Sequence, residues 1–240
     1  MKIINAGNII MNTYLYPCSN GYIMIDTGYE HSLKDVEAKL NKHDIELSDI
    51  KYVFLTHAHD DHAGFLNELL GKNENLKVIM SDKSMPTLKR GQNSFEGGCS
   101  TVLAWIFGKL MGVVGKAEHR FPAIDEKYND RFIEITETNK EELEEILQGT
   151  ILFTPGHTAD SISLKVDNAI FCGDAAMNDF PSIKRLMILI EDTADFEKSW
   201  DTLLDEDANT IYPAHGRPFS KSDLAKYKKY ISKLRLYKLN

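Results

Sequence analysis

Short apolar runs of strand length alternate with stretches in helical period along this chain. KIINAGNII, NTYLYPC and GYIMIDTG are rich in Ile and Tyr and are separated by Asn and Gly, which predicts three strands. In HSLKDVEAKLNKH, residues 31–43, Leu33, Val36 and Leu40 recur at helical spacing. KYVFLTH, 51–57, reads as a buried strand, so strand, helix, strand predicts a layered α/β domain. NLKVIMSD, 75–82, is a further strand. Residues 83–130 are the least regular part, with the pair Gly97 and Gly98 and the apolar segment TVLAWIFGKLMGVVG, 101–115.

Beyond this stretch, NKEELEEILQG, 139–149, reads as an acidic helix stopped by Gly149. TILFTPG, SISLKV and NAIFCGD read as three strands, and residues 183–205 as a helical region. ANTIYPAHG is a strand running into a loop, and SKSDLAKYKKYISKLRLYKLN a C-terminal helix with Ser220 as N-cap. With no repeat, low-complexity run or evident linker, a single domain over residues 1–240 is expected, with a lid or insertion at about 83–130. The apolar segment there reads as a buried helix, a lid, an apolar wall beside a site or a dimer contact.

Composition narrows the class. Hydrophobic content of 42% and charged content of 27% suit a globular chain of 240 residues. A net charge of −8 and a pI near 5.5 argue against a broad nucleic-acid or anionic-membrane footprint, which needs a basic face. Cys18, Cys99 and Cys172 are widely spaced and form no CxxC pair, so a reducing cytosol is the expected compartment. The N-terminus lacks the apolar run of a signal peptide, and 101–115 is too short to span a bilayer. The expected partner is a small molecule, with no nucleic acid and no membrane; a homodimer is an open alternative.

The chemistry concentrates in THAHDDHAG, 56–64, where His57, His59, Asp60, Asp61 and His62 hold three of the chain's eight histidines. His57 and His59 are two apart where a strand runs into a loop, so both face one way and can grip one ion. Asp61 and His62 follow where the chain turns into a helix. The pattern H-x-H-x-D-H selects Asp61 as the ligand and leaves Asp60 facing solvent. Three more candidates stand at strand ends: His157 in TPGHT, Asp174 in FCGDA and His215 in YPAHG. Seven candidate ligands suffice for two metal ions with room for water. Cys172 reads as a small core residue, and His31, His43 and His119 as exposed.

Taken in order, THAHDDHAG, TPGHT, GDA and PAHG, with the early IDTG at 25–28, resemble the metallo-β-lactamase superfamily. The resemblance implies an α/β fold, the four-layer αββα sandwich, with a dinuclear site at one edge. It assigns His57, His59 and His157 to a first metal, and Asp61, His62 and His215 to a second. It makes Asp174 the bridge between them and Asp26 an orienting residue behind the ligands. Two Zn2+ are the expected cofactor, with Mn2+ or Fe as alternatives.

What the resemblance implies for activity is a metallo-hydrolase. A hydroxide bridging the metals attacks a small ester, lactone or thioester, with an apolar portion if 83–130 forms a wall. Asp61 passes a proton to the leaving group. Lactonases of the superfamily often carry tyrosine three residues after the bridging aspartate, where this chain has Met177. A mononuclear iron persulfide dioxygenase, using His57, His157 and Asp174, stays open, as does an inactive metal-binding or sensor protein.

Overall fold

The computed structural model describes residues 1–93, 95–113 and 118–239. They group into two compact units, Met1–Asn93 with Arg120–Gly149, and Ser94–His119 with Thr150–Asn240.

The first unit is built on a six-stranded sheet. Its order is Ile4–Asn5, Tyr14–Cys18, Gly21–Ile25, Ile50–Phe54, Lys77–Ser81 and Phe132–Ile135. The first three strands pair antiparallel and the last four run parallel. Parallel strands need crossover connections, and the helices Leu33–Leu40, Leu66–Lys72 and Met85–Arg90 lie in these. Leu33, Val36 and Leu40 present one buried face, joined in the core by Leu66, Leu69, Leu70, Val53, Val78 and Met80. Each such side chain contributes about 1.5–3 kcal/mol on burial. His57 to His62 follow the strand Ile50–Phe54, which lies inside this sheet, so a rigid element carries this loop of candidate ligands.

The second unit has a five-stranded sheet ordered Phe219–Ser220, Thr210–Pro213, Ala169–Gly173, Ile162–Val166 and Thr150–Phe153. Ala169–Gly173 is buried along its whole length and runs parallel to Thr210–Pro213. Thr193–Asp205 packs Phe196, Trp200 and Leu203 into a core with Ile170, Ile211 and Leu224. Gly98–Cys99 pairs with Leu189–Ile190 in a separate two-stranded ribbon.

Four expectations are corrected. The acidic helix spans Lys140–Leu147, and its left-handed terminal residue is Gln148 (φ 51°) rather than Gly149; the Gly149 N–H then returns to the Glu144 carbonyl. The helix expected over 183–205 begins only at Thr193, where the Asp192 carboxylate accepts from the N–H groups of Ala194 and Asp195. Ser220 is not an N-cap: it pairs with Thr210 in the sheet, and the helix runs Ser222–Tyr227 before a 3-10 turn, Lys228–Lys233. Finally, Phe132–Ile135 completes the first sheet although the sequence reading found no strand there. Within 83–130 the described residues include the α-helices Met85–Arg90 and Val102–Val113, the strand Gly98–Cys99 and the start of the 3-10 turn Glu126–Arg131.

Candidate metal-binding residues

In the first unit the ligand loop is organised from behind by Asp26. This residue ends the strand Gly21–Ile25 with a left-handed φ of 54°, and its N–H bonds the Phe54 carbonyl. Its carboxylate accepts from the Thr56 N–H (2.7 Å), the Thr56 hydroxyl (2.8 Å) and His62 Nδ1 (2.8 Å). His62 therefore carries its proton on Nδ1 and keeps the Nε2 lone pair for a cation. Because the Thr56 hydroxyl donates to Asp26, its oxygen is left to accept from His57 Nδ1 at 3.2 Å, which fixes the same tautomer in His57. Thr27 closes the arrangement, its N–H (2.8 Å) and hydroxyl (2.7 Å) both donating to the His62 carbonyl.

The rings then converge. His57 and His59 meet edge-on with centroids 4.6 Å apart, and His57 and His62 lie 3.9 Å apart. Ligand atoms of His57 and His59 fall within 4.8 Å of each other, as do those of His57 and His62, and of Asp61 and His62. All three imidazoles are buried, whereas Asp61 is half-buried with Oδ1 3.8 Å from His62 Nε2. Asp60 is not solvent-facing as expected. It is half-buried, its N–H donates to Asn93 Oδ1 and its carboxylate accepts from Asn93 Nδ2, each at 2.8 Å.

In the second unit three strands deliver three side chains to one point. His157 follows Thr150–Phe153, with Gly156 (φ +131°) allowing the chain to pass the Phe196 backbone, 2.4 Å from where a Cβ would sit. His157 Nδ1 donates to the Leu189 carbonyl (2.8 Å), which turns Nε2 into the nitrogen that could accept a cation. Asp174 follows Ala169–Gly173. His215 follows Thr210–Pro213, and its carbonyl accepts from the Asn178 N–H at 2.9 Å. Asn178 in turn bonds Arg185, whose guanidinium reaches the Asp223 carboxylate at 2.8 Å.

Asp174 is the pivot. Its Oδ2 lies 3.4 Å from His157 Nε2 and its Oδ1 lies 3.5 Å from His215 Nε2. Two ligands bound tetrahedrally at about 2.1 Å stand about 3.4 Å apart. The two oxygens thus face two different histidines at the separation that co-ligands of an ion show. These donor sets fit divalent cations.

Thr56, Asn93, Asn178 and the Leu189 carbonyl escaped the sequence reading. Thr56 alone had a signal, standing directly before the first histidine. As expected, Cys172 is buried, and His31, His43 and His119 are exposed.

A mixed α/β fold with histidine–carboxylate sets at its strand ends defines a protein whose residues are able to hold a metal. The family profile described as the metallo-beta-lactamase superfamily matches residues 9–215, and the chain belongs to that superfamily. It is similar to a "Beta-lactamase-like protein 2 homolog" of Caenorhabditis elegans, 27% identical over 88% of this chain and 57% of that protein. A metallo-beta-lactamase fold-containing protein of Sulfurisphaera tokodaii is 31% identical over 64% of this chain and 52% of its own length. The chain thus spans a little over half the length of these relatives. Among solved structures, the Rm3 metallo-beta-lactamase superposes with a TM-score of 0.67 at 15% identity, covering 96% of this chain and 90% of that one. That likeness establishes the fold.

Proposed function

We propose that this protein is a dinuclear metal-dependent hydrolase, zinc being the favoured metal, acting on a small ester, lactone or thioester. The observation that carries the reading is Asp174, whose two carboxylate oxygens address His157 and His215 separately at 3.4 and 3.5 Å. On this reading His57, His59 and His157 hold one cation, Asp61, His62 and His215 hold the other, and Asp174 is shared. When bound, such a pair supplies hydroxide near neutral pH and an electrophile for the substrate oxygen.

The chain's own residues do the rest. Asp26 and Thr56 hold His62 and His57 in the ligating tautomer, and the Leu189 carbonyl does so for His157. Burial of the five histidines restricts water around the donors. Asp61 is more open than they are, which suits a carboxylate that hands a proton to a leaving group. No side-chain nucleophile is required.

The test is elemental analysis of protein purified without chelator, followed by a panel of a lactone, an ester and a thioester. About two zinc or manganese ions per chain with turnover of one panel member is the expected result. One iron per chain with no hydrolysis would overturn the reading and direct attention to persulfide oxidation. Two bound ions with no turnover of any member would reduce the protein to a metal-binding one.

A further inference from the structure

The helix Val102–Val113 of the second unit carries a single charge, Lys109, in twelve residues. At 3.6 residues per turn, Val102, Leu103, Ile106, Leu110 and Val113 fall within an arc of about 100°. All five are exposed, Leu110 by 58% and Val113 by 86%. A helix whose apolar stripe faced a core would bury these positions; here only Ala104 is buried.

The helix is flanked by the C-terminal segment. Trp105 Nε1 donates to the Lys238 carbonyl (2.9 Å), the Lys109 ammonium donates to the Leu239 carbonyl, and Gly108 lies against the Leu239 side chain. Tyr237 is tied to Cys99 by backbone hydrogen bonds in both directions at 2.9 Å. This segment inverts the charge of the chain. From Tyr227 to Leu239 it holds Lys228, Lys229, Lys233, Arg235 and Lys238 and no acidic residue, in a protein whose net charge is −8. Lys229, Lys233 and Arg235 are exposed, whereas the Lys238 ammonium donates to the Glu96 carbonyl at 3.0 Å and Lys228 pairs with Asp201.

We propose that this face docks on an anionic lipid bilayer, with the five aliphatic side chains entering the acyl boundary and the C-terminal cations meeting the lipid phosphates. Among the described residues no helix is long and apolar enough to cross a membrane, so the helix lies in the plane of the interface. Trp105 and Lys109 sit at its flank, where an aromatic ring and a lysine suit the headgroup level. Charge complementarity selects this occupant over others. A nucleic acid would meet aliphatic side chains on this face where stacking needs aromatic ones. The acidic remainder of the chain is repelled by the same lipids, which confines contact to this edge. The inference uses no metal ligand and stands apart from the proposed catalysis.

The experiment is co-sedimentation of the full chain with vesicles of phosphatidylcholine alone and of phosphatidylcholine mixed with phosphatidylglycerol. Binding is expected to the mixed vesicles only, weakening as salt is raised. Neutralising Lys229, Lys233 and Arg235 together should weaken it by roughly five-fold per cation, or about a hundred-fold in all. Leu110→Asp should abolish it while circular dichroism and metal content match the parent. Absence of binding to anionic vesicles at low salt would overturn the proposal, as would binding that survives Leu110→Asp. A dimer in light scattering that Leu110→Asp splits, without vesicle binding, would assign the face to a second copy and overturn it equally.

Discussion

His62 Nδ1 stands 2.8 Å from Asp26 Oδ2, with both side chains buried and 36 residues apart in sequence. Three donors converge on that carboxylate, and its acceptor oxygen keeps the imidazole proton on Nδ1. Asp26→Asn replaces one oxygen with an NH2 group. Turned toward His62, the amide makes Nδ1 an acceptor and moves the imidazole proton to Nε2, where it blocks a cation. Metal affinity in chelator competition should fall by about 10–100-fold, the usual cost of losing such an outer hydrogen bond. The melting temperature of the metal-free protein should change much less. Parent-like affinity would show that Asp26 serves only the turn.

The candidate ligands are legible because each stands at a strand end beside a recognisable turn, as His157 does in TPGHT. What orients them is not. Asp26 and Thr56 are 30 residues apart, and nothing local in D-T-G distinguishes a turn-former from a residue that fixes a tautomer. The Leu189 carbonyl is invisible to side-chain patterns, and its strand of two residues has no periodicity to read. The motif alone points Asp60 to solvent, because its partner Asn93 lies in a stretch with no regular pattern. Helix ends were also lost where a tertiary contact decided them: Ser220 has cap chemistry, but pairing with Thr210 takes it into the sheet.

Asp174→Asn tests the shared carboxylate. The amide keeps the shape and one oxygen but removes the charge and one of the two contacts now at 3.4 and 3.5 Å from His157 and His215. Asp174 being a direct ligand in the proposed site, its loss should cost more than the about 10–100-fold typical of an outer partner. Competition against a graded series of chelators measures this. A variant that keeps two ions and full turnover would refute the bridging role.

Asp60 and Asn93 exchange two hydrogen bonds, one through the Asp60 N–H and one through its carboxylate. Asp60→Asn retains an oxygen for Asn93 Nδ2, so metal content and stability should stay within about 0.5 kcal/mol of the parent. Asp60→Ala removes the acceptor and should cost about 1 kcal/mol in urea unfolding. A cycle with Asn93→Ala should show coupling above about 0.5 kcal/mol. Additive losses would mean that the two residues act separately.

Glu191 provides a pH prediction. Burial raises its carboxyl pKa above the ordinary 4.5, outweighing the lowering effect of hydrogen bonds from the Glu96 and Ala159 backbone. A raised value means that the folded state holds the proton more tightly than the unfolded chain does. Stability from this residue is therefore present below pH 4.5 and lost as pH climbs through the raised folded value. Glu191→Gln keeps an oxygen for the Glu96 N–H and cannot ionise. Its melting temperature relative to the parent should be more favourable at pH 7 than at pH 4. A difference that does not move with pH, or that moves the other way, would contradict this reading of the carboxyl.

Two glycines in helical backbone separate space from conformation. Gly64 follows the turn Asp60–Ala63 with φ −60° and ψ −39°, angles that alanine adopts freely. A Cβ there would nevertheless lie 2.4 Å from both the Asp60 carbonyl oxygen and the Glu30 nitrogen, and 2.6 Å from the Gly28 oxygen. These are backbone atoms of the ligand turn and of the loop after Asp26, so relief requires the two segments to part. Gly64→Ala should therefore cost about 3 kcal/mol or more and loosen metal binding with it. Gly112, in the exposed helix Val102–Val113, has nothing within 4 Å of an added Cβ. There the same substitution removes backbone freedom from the unfolded chain and should stabilise by about 0.5–1 kcal/mol, leaving metal affinity unchanged. Thermal unfolding and chelator competition on both variants provide the comparison. If Gly64→Ala behaved like Gly112→Ala, the close approach of the Asp60–Ala63 turn to residues 28–30 would be wrong, and the seat of His62 on Asp26 would have to be redrawn.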